Sequence, residues 1–349
     1  MYSIKGYSID EVFAIGWNTI HACGRKSDSR NGPVISMEDV CATEYPYPQS
    51  RVLFLPERRH NPFFALMETI WMFAGSNDLE WLLFYNKRMS EYSDDNKTLT
   101  GSAYGYHWVR NYRFDQLFVA ATELVQNPET RRVVVSHWNP YKDPLNKQSK
   151  DLPCNLQILF RVTDKSILNM TVYNRSNDFV YGQAGSNVVH FSLLLEFMAM
   201  VTGYSVGKYT QVSNNLHMYT ENPVYKRLYK TYGKNIPVRE PYDIYNLGIY
   251  PMSTNITYGG ENGLLDRYKL FMFDVHYLYE DVAEGLYAEP EHYQSSFFQR
   301  IVVPMQRAHR AYKEGNMERA FEELEKMPPN NDWKLAGIHW LQGLKKPVV

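Results

Sequence analysis

Cysteine is scarce in this chain: Cys23, Cys41 and Cys154 are the only three in 349 residues. No two of them form a CxxC pair, which removes the usual zinc-ribbon and dithiol redox motifs, and no metal is expected. An odd number of cysteines in so long a chain argues against a disulfide scaffold, so a reducing, cytoplasmic setting is the expectation. Charge of either sign is not in excess. With 37 Lys and Arg against 38 Asp and Glu, the formal net charge is −1, which leaves no electrostatic footprint for a duplex nucleic acid or a membrane surface. Long apolar runs are missing too. No stretch approaches the roughly 20 apolar residues that a membrane span needs, and the start MYSIKGYSIDEVFAIGW lacks the basic head and apolar run of a signal peptide. Low-complexity tracts, internal repeats and a composition break that would mark a linker are also lacking.

What is present is a substantial apolar fraction, 44%, enough for a large core. The 28 tyrosines are spread along the chain without interleaved basic residues, so they read as core and surface rather than as a stacking platform for single-stranded nucleic acid. The pattern predicts a helix over 9–23, a polar loop at GRKSDSRNGPV, and a helix over 62–74 that is apolar on most faces and stopped by Gly75. RRVVVSHW (131–138) reads as a strand. LQILFRV (156–162) and ILNMTVYNR (167–175) read as a strand pair turning at Asp164-Lys165. A long buried helix is expected over 188–204 and a strand over 208–213. From about 264 onward the signals are helical. The expectation is one catalytic domain spanning 1–349, with 225–349 as a mainly helical C-terminal part.

Several residues have the chemistry of a site. Cys154, in DLPCNLQ, follows a proline and precedes an apolar strand. Such a cysteine is structural or nucleophilic, and the second role calls for a depressed thiol pKa and nearby cations. Arg131, Arg132 and Arg175 are candidates for those cations, since arginine grips phosphate in bidentate fashion; a solvated turn would account equally for the first two. Ser176 adds a second phosphate donor beside Arg175. Glu68 lies inside the apolar 62–74 helix, where a carboxylate must be paired, hydrogen-bonded or functional.

Taken in order, these pieces carry a resemblance. ETIWMFAG (68–75), GSAYGYHW (101–108), RRVVVSHWN (131–139), LPCN (152–155), YNRSND (173–178), Asn187 and LHMY (216–219) together resemble thymidylate synthase and its relatives, the deoxypyrimidine hydroxymethylases. The resemblance covers roughly residues 8 to 225. It implies an α+β fold with a large mixed sheet, a buried central helix, and a homodimer formed through the sheets. It also implies 5,10-methylenetetrahydrofolate as co-substrate, a pyrimidine nucleotide monophosphate as substrate, and the cytoplasm of a bacterium or a phage-infected host.

Residue by residue, Cys154 matches the nucleophile that adds to C6 of the pyrimidine. Arg175 and Ser176 match the phosphate grip. Arg131 and Arg132 match the pair that reaches the partner's phosphate, and Arg30 in SDSRNGP matches a further phosphate arginine within an altered loop. His217 and Tyr219 match the pair on the sugar 3′-hydroxyl. Glu68 matches the carboxylate that orders water, and Tyr104 the tyrosine near the C5 proton. Asp178 and Gly182 fall on the folate side, Asp178 at the acid that binds the pterin. Arg58 and Arg59 are candidates for the folate's glutamate tail. Asn187 matches the base-reading asparagine, whose amide complements uracil N3–H and O4; cytosine enzymes of the family tend to carry Asp, although a flipped amide could serve cytosine.

The departures also carry information. Asn155 replaces the histidine that follows the nucleophile in the synthases. Gln183-Ala184-Gly185-Ser186 replaces the usual Pro-Phe and adds a residue before Asn187. Ser90 and Ser93 stand where the synthases keep two tryptophans, one of which shields the reactive methylene intermediate from water, although Met89 or Tyr92 could still cover the site. The small residues favour water as the final reactant and a 5-hydroxymethyl product, with dUMP the first choice of substrate and dCMP the second. Reductive methylation of dUMP is the alternative, and a silent nucleotide- or RNA-binding relative is a third reading. The terminal Pro347-Val348-Val349 is similar to the family's closing tail, or is an ordinary frayed end.

Overall fold

The computed structural model describes residues 1–238, 250–252 and 260–344, with side chains from 263 in the last stretch; the Pro347-Val348-Val349 tail lies outside the described residues. Strand β1 (Tyr2–Lys5) leads to helix α1 (Ile9–Cys23), whose first turn is capped by Ser8 accepting from the Glu11 N–H. A hairpin of β2 (Arg25–Ser29) and β3 (Gly32–Ser36) comes next, then β4 (Cys41–Tyr45). The hairpin corrects the expected polar loop. Every residue of β2 is exposed, so the strand has no apolar alternation to betray it; backbone pairing with β3 holds it.

Helix α2 (Pro62–Phe73) is followed by α3 (Leu79–Leu83), α4 (Tyr104–Val109) and α5 (Gln116–Gln126). Next come β5 (Val134–Ser136), β6 (Asn155–Thr163), β7 (Ile167–Asn174) and the two-residue β8 (Asn177–Asp178). Helix α6 (Asn187–Thr202), β9 (Ser205–Ser213), β10 (Leu216–Tyr219) and α7 (Pro223–Tyr232) complete the part that resembles the family. The β6–β7 turn does fall on Asp164 and Lys165, both at positive φ.

The strands form two sheets. The larger has the order β1-β4-β9-β7-β6-β5 and is mixed: β9 runs parallel to β7, while β4–β9 and β6–β7 are antiparallel. Strand β7 alternates buried and half-buried residues along its length, so one face meets the core. The smaller sheet has the order β2-β3-β10-β8.

Against the core face lies α6, buried along most of its length. Together with the turn before it, the run Phe179–Thr202 is long and apolar enough to pass for a membrane span, contrary to the expectation from sequence. Nearly all of it is covered by the rest of the fold, so core burial accounts for its composition.

The C-terminal helices explain why α2 is apolar on so many faces. Gly260–Ala283 packs on α2, α5 and α6, and both Val303–Lys313 and Asp332–Leu344 pack on α2. Phe271 meets Phe73 of α2 and Phe197 of α6 at ring separations of 5.3 and 4.8 Å; Trp340 meets Phe63 of α2 edge-on at 5.5 Å. A buried ion pair between Arg51 and Glu196 fastens the same region, and Glu196 also accepts the Met252 N–H.

Candidate active site

Cys154 sits where LPCN enters β6, and Arg175 sits where β7 ends. Because β6 and β7 pair antiparallel with Asn155 opposite Asn174, the two ends meet. The Arg175 backbone N–H donates to the Cys154 carbonyl at 2.9 Å. Its guanidinium donates to the Pro153 carbonyl at 2.8 Å and the Leu152 carbonyl at 3.1 Å, and Nη2 reaches to 3.9 Å from Cys154 Sγ. The cation demanded by a nucleophilic cysteine is therefore present. The thiol is nevertheless pushed up rather than depressed: burial dominates, Arg175 pulls the other way, Asp151 and Asp178 add to the rise, and Arg30 opposes it.

Asp151, three residues before the cysteine, ties a second segment to the first. Its carboxylate accepts the backbone N–H groups of Thr100, Gly101 and Ser102, each at 2.8 Å. The approach is so close that a Cβ on Gly101 would lie 2.2 Å from the Asp151 carbonyl oxygen, so only glycine fits. This clasp starts α4 at the site and sets buried Tyr104 beside Asn155, within electrostatic reach of Cys154. Burial pushes the Tyr104 hydroxyl well up, so it keeps its proton at neutral pH.

The smaller sheet supplies the next group. Strand β8 pairs in parallel with β10 and places Asp178 opposite His217. Asp178 Oδ1 accepts the N–H groups of Val180 at 2.9 Å and Tyr181 at 3.4 Å. Burial raises its carboxyl while His217 works to lower it; burial in turn lowers His217 while Asp178 works to raise it. Tyr219 stands edge-on to His217 at 4.9 Å. Arg30 occupies the exposed β2–β3 turn, on the sheet that carries His217 and Tyr219. Ser176, next to Arg175, is half-buried. Arg131 and Arg132 stand exposed just before β5.

Unpartnered polar atoms gather where α2 faces α6. Glu68 Oε2 is 3.0 Å from His190 Nε2, but neither atom has hydrogen-bond geometry, and both are buried without a hydrogen-bond partner among the described residues, as are His190 Nδ1 and His60 Nε2. Such atoms mark a place suited to a polar guest. Burial, with the charges of Arg58 and His190 adding to it, pushes His60 down to about 3, so that ring is neutral at physiological pH. Asn187 opens α6, three residues before His190. The segment before it, Phe179–Ser186, is kinked, with Ala184 and Gly185 outside helical geometry.

Two expectations change. Ser93 is buried and its hydroxyl is spent on the Thr98 carbonyl at 2.7 Å and Asp95 at 3.0 Å, so it braces a loop and opens no path for water. Ser90 is exposed, with its hydroxyl on the Lys87 carbonyl, and Tyr92 is half-exposed, within electrostatic reach of Asp178 and Tyr181. Arg58, a candidate for an extended anionic tail, is buried; it donates to the Val180 carbonyl at 3.0 Å and stacks on Tyr181 at 4.7 Å, and burial lowers it to about 10. Its donors face the inside of the fold, whereas Arg59 is exposed in left-handed geometry. Arg88 lies over the same Tyr181 ring at 5.9 Å.

His190, His60, Asp151, Asn177 and Gln211 escaped the reading of the sequence. His190 carried a usable signal, because a polar ring in the run VVHFSLLLEF demands an explanation just as Glu68 does. The others carried none, since an Asp, Asn or Gln near a strand end, or a His in the loop before a helix, is ordinary.

Residues 16–248 match a protein-family model described as thymidylate synthase. A protein of Pseudomonas phage M6 described as deoxyuridylate hydroxymethyltransferase is 38% identical over 328 residues, covering 91% of this chain and 88% of its own. That match runs past residue 248, where the family model ends. Proteins of the same description from Bacillus phage SP01 and Delftia phage PhiW-14 are 37% identical over 210 residues and 30% identical over 226 residues. They cover 56% and 62% of this chain, and 54% and 62% of their own lengths.

Proposed function

The chain belongs to the thymidylate synthase family, and from that membership we propose that it hydroxymethylates C5 of dUMP, consuming 5,10-methylenetetrahydrofolate and water and releasing tetrahydrofolate. The observation that carries this reading is the match along most of both chains to a phage protein described as a deoxyuridylate hydroxymethyltransferase. The meeting of Cys154, Arg175 and Tyr104 at one end of the β6–β7 pair supports it.

The residues suit a folate as well as a nucleotide. At Gly182 a Cβ would lie 2.9 Å from Asn177 Oδ1 and 3.3 Å from Asn187 Nδ2, so glycine lets this turn lie close against the base-reading amide. Tyr181 and Tyr92 border Asp178, and in this reading Asp178 and Gly182 hold the pterin while exposed Arg59 is left for the glutamate tail. The folate brings a one-carbon unit at the oxidation level of formaldehyde.

This chain's own groups divide the remaining work. Arg175, Ser176 and Arg30 hold the phosphate, and Arg131 and Arg132, exposed here, are placed by this reading across a homodimer interface. His217 and Tyr219 hold the sugar hydroxyl, and Asn187 holds the base. Cys154 gives up its proton and adds to C6, which turns C5 into the nucleophile toward the one-carbon unit. In this reading Tyr104 serves the departing C5 proton. Glu68, with His190 beside it, orients water, whose oxygen becomes the new hydroxyl. Expulsion of the thiolate from C6 restores the ring, and no hydride is consumed.

Product mass after incubation with the folate and dUMP, dCMP or CMP in separate reactions tests the proposal. A gain of one CH2O unit on dUMP, without the absorbance rise of dihydrofolate, is expected. A gain of one CH2 unit with that rise would replace hydroxymethylation by reductive methylation. Retention of C5 tritium despite nucleotide binding would leave a silent binding relative.

A further inference from the structure

Asn187 reads a base only if its amide cannot turn over, because exchanging its oxygen and nitrogen exchanges complementarity to uracil for complementarity to cytosine. The chain contains a device that settles the orientation. The Gln183 backbone carbonyl can only accept, and it accepts from Gln211 Nε2 at 3.1 Å and from the Tyr45 hydroxyl at 3.1 Å. That fixes Gln211 with its oxygen on the other side, where Asn177 Nδ2 donates to it at 2.9 Å. A second acceptor, Gln183 Oε1, lies 3.3 Å from the same nitrogen. Asn177 Oδ1 must then point the opposite way, and it accepts from Asn187 Nδ2 at 3.2 Å. Asn177, Gln183 and Gln211 are at most 3% exposed, so water cannot replace a misdirected partner cheaply. Gly182 lets the turn pass this close, as a Cβ there would press on both ends of the Asn177–Asn187 bond.

We propose that the Gln183 carbonyl–Gln211–Asn177 relay is the specificity determinant that makes Asn187 a uracil reader. Resting on the dUMP reading above, the relay leaves Asn187 with an open oxygen for the N3–H of the base and a second N–H for O4. Cytosine offers the reverse pattern at N3 and N4. To meet it, Asn187 would have to turn its oxygen toward Asn177 Oδ1, or the whole relay would have to invert and set the Gln211 oxygen against the Gln183 carbonyl. Asn177, Gln183 and Gln211 therefore act as positioning residues, through Asn187.

Calorimetric dissociation constants for dUMP and dCMP, measured on the intact natural protein and two variants, test this. The natural protein should favour dUMP by roughly a hundredfold or more, the range expected when a wrong partner leaves buried polar groups unpaired. Asn177→Ala frees the Asn187 amide and should shrink the ratio by about tenfold or more. Asn177→Asp loses the donor pair but keeps an oxygen facing Asn187 Nδ2 in either protonation state, so the ratio should stay within about threefold of natural. An unchanged ratio in Asn177→Ala, or equal loss in both variants, overturns the relay while leaving the dUMP reading intact. A natural protein that binds dCMP more tightly than dUMP overturns both. Should Asn177→Ala not fold, Gln211→Met, which removes the nearest acceptor holding Asn177 while Gln183 Oε1 and Ser213 Oγ stay in reach, should shrink the ratio by about threefold or more, and an unchanged ratio would overturn the relay.

Discussion

At the scale of single residues, the Cys154 thiol presents a tension that shapes its chemistry. Burial raises its pKa, while Arg175, at 3.9 Å, is the chief group working to lower it. A half-buried thiol held above its ordinary range stays largely protonated at neutral pH. Alkylation of Cys154 by iodoacetamide in nucleotide-free protein should therefore be slow at pH 7 and still be accelerating beyond the ordinary thiol range, read by mass mapping of the modified peptide. A rate that levels off below pH 8 would mean that the cation outweighs burial. Cys154→Ala should cut turnover by more than about a thousandfold, as loss of a nucleophile does, while dUMP binding by calorimetry remains.

Among the elements, the clasp at Asp151 joins two stretches far apart in sequence. The segment before α4 owes three backbone hydrogen bonds to one carboxylate, and those bonds fix Tyr104 relative to Cys154. Asp151→Ala strands three N–H groups in a largely covered place and should cost about 2–3 kcal/mol, from the penalty for an unsatisfied buried donor and partial relief by water. Chemical denaturation measures that loss. Turnover should fall further than binding, since Arg175, the proposed phosphate grip, is anchored by backbone carbonyls that the change leaves in place. Asp151→Asn, which retains one acceptor oxygen, should recover part of both.

Over the whole molecule, the C-terminal helices decide how the site is backed. Glu68 belongs to α2, and α2 is packed from outside by Val303–Lys313 and Asp332–Leu344. Asp332 starts the last of these helices and is buried, with the buried Arg51–Glu196 pair acting on it. Burial pushes its carboxyl up to about 7 from an ordinary 3.8. A folded-state value above the unfolded one means that the native protein binds this proton more tightly. Its contribution is then undiminished below the unfolded value, and stability declines as pH rises between the two, because the unfolded chain ionises first. Asp332→Asn cannot ionise and should be spared that decline. The difference in melting temperature, variant minus natural, should thus increase from pH 5 to pH 8, by several degrees if most of the shift is realised. A difference independent of pH would remove Asp332 from the account.

Periodicity in the sequence placed α1, α2, the β6–β7 pair and α6 nearly to the residue, because each buries a continuous apolar face that leaves a repeating trace in the chain. The β2–β3 hairpin left no trace, since its partners are backbone groups and its side chains face water. Motif order joined Cys154, Arg175, Glu68, Tyr104, Asn187 and His217 into one resemblance, and the fold does bring Cys154, Arg175 and Tyr104 together and sets Glu68 in the helix that faces α6. What motif order could not carry was the state of each group. Whether Ser93 admits water, whether Arg58 is free to grip an anion, and which way the Asn187 amide points depend on partners distant along the chain. Gln211 and Asn177, separated by 34 positions, are one hydrogen bond apart only because β8 and the end of β9 converge on the turn before α6. A sequence determines which donors and acceptors exist; burial and three-dimensional adjacency determine which of them remain free to meet a substrate.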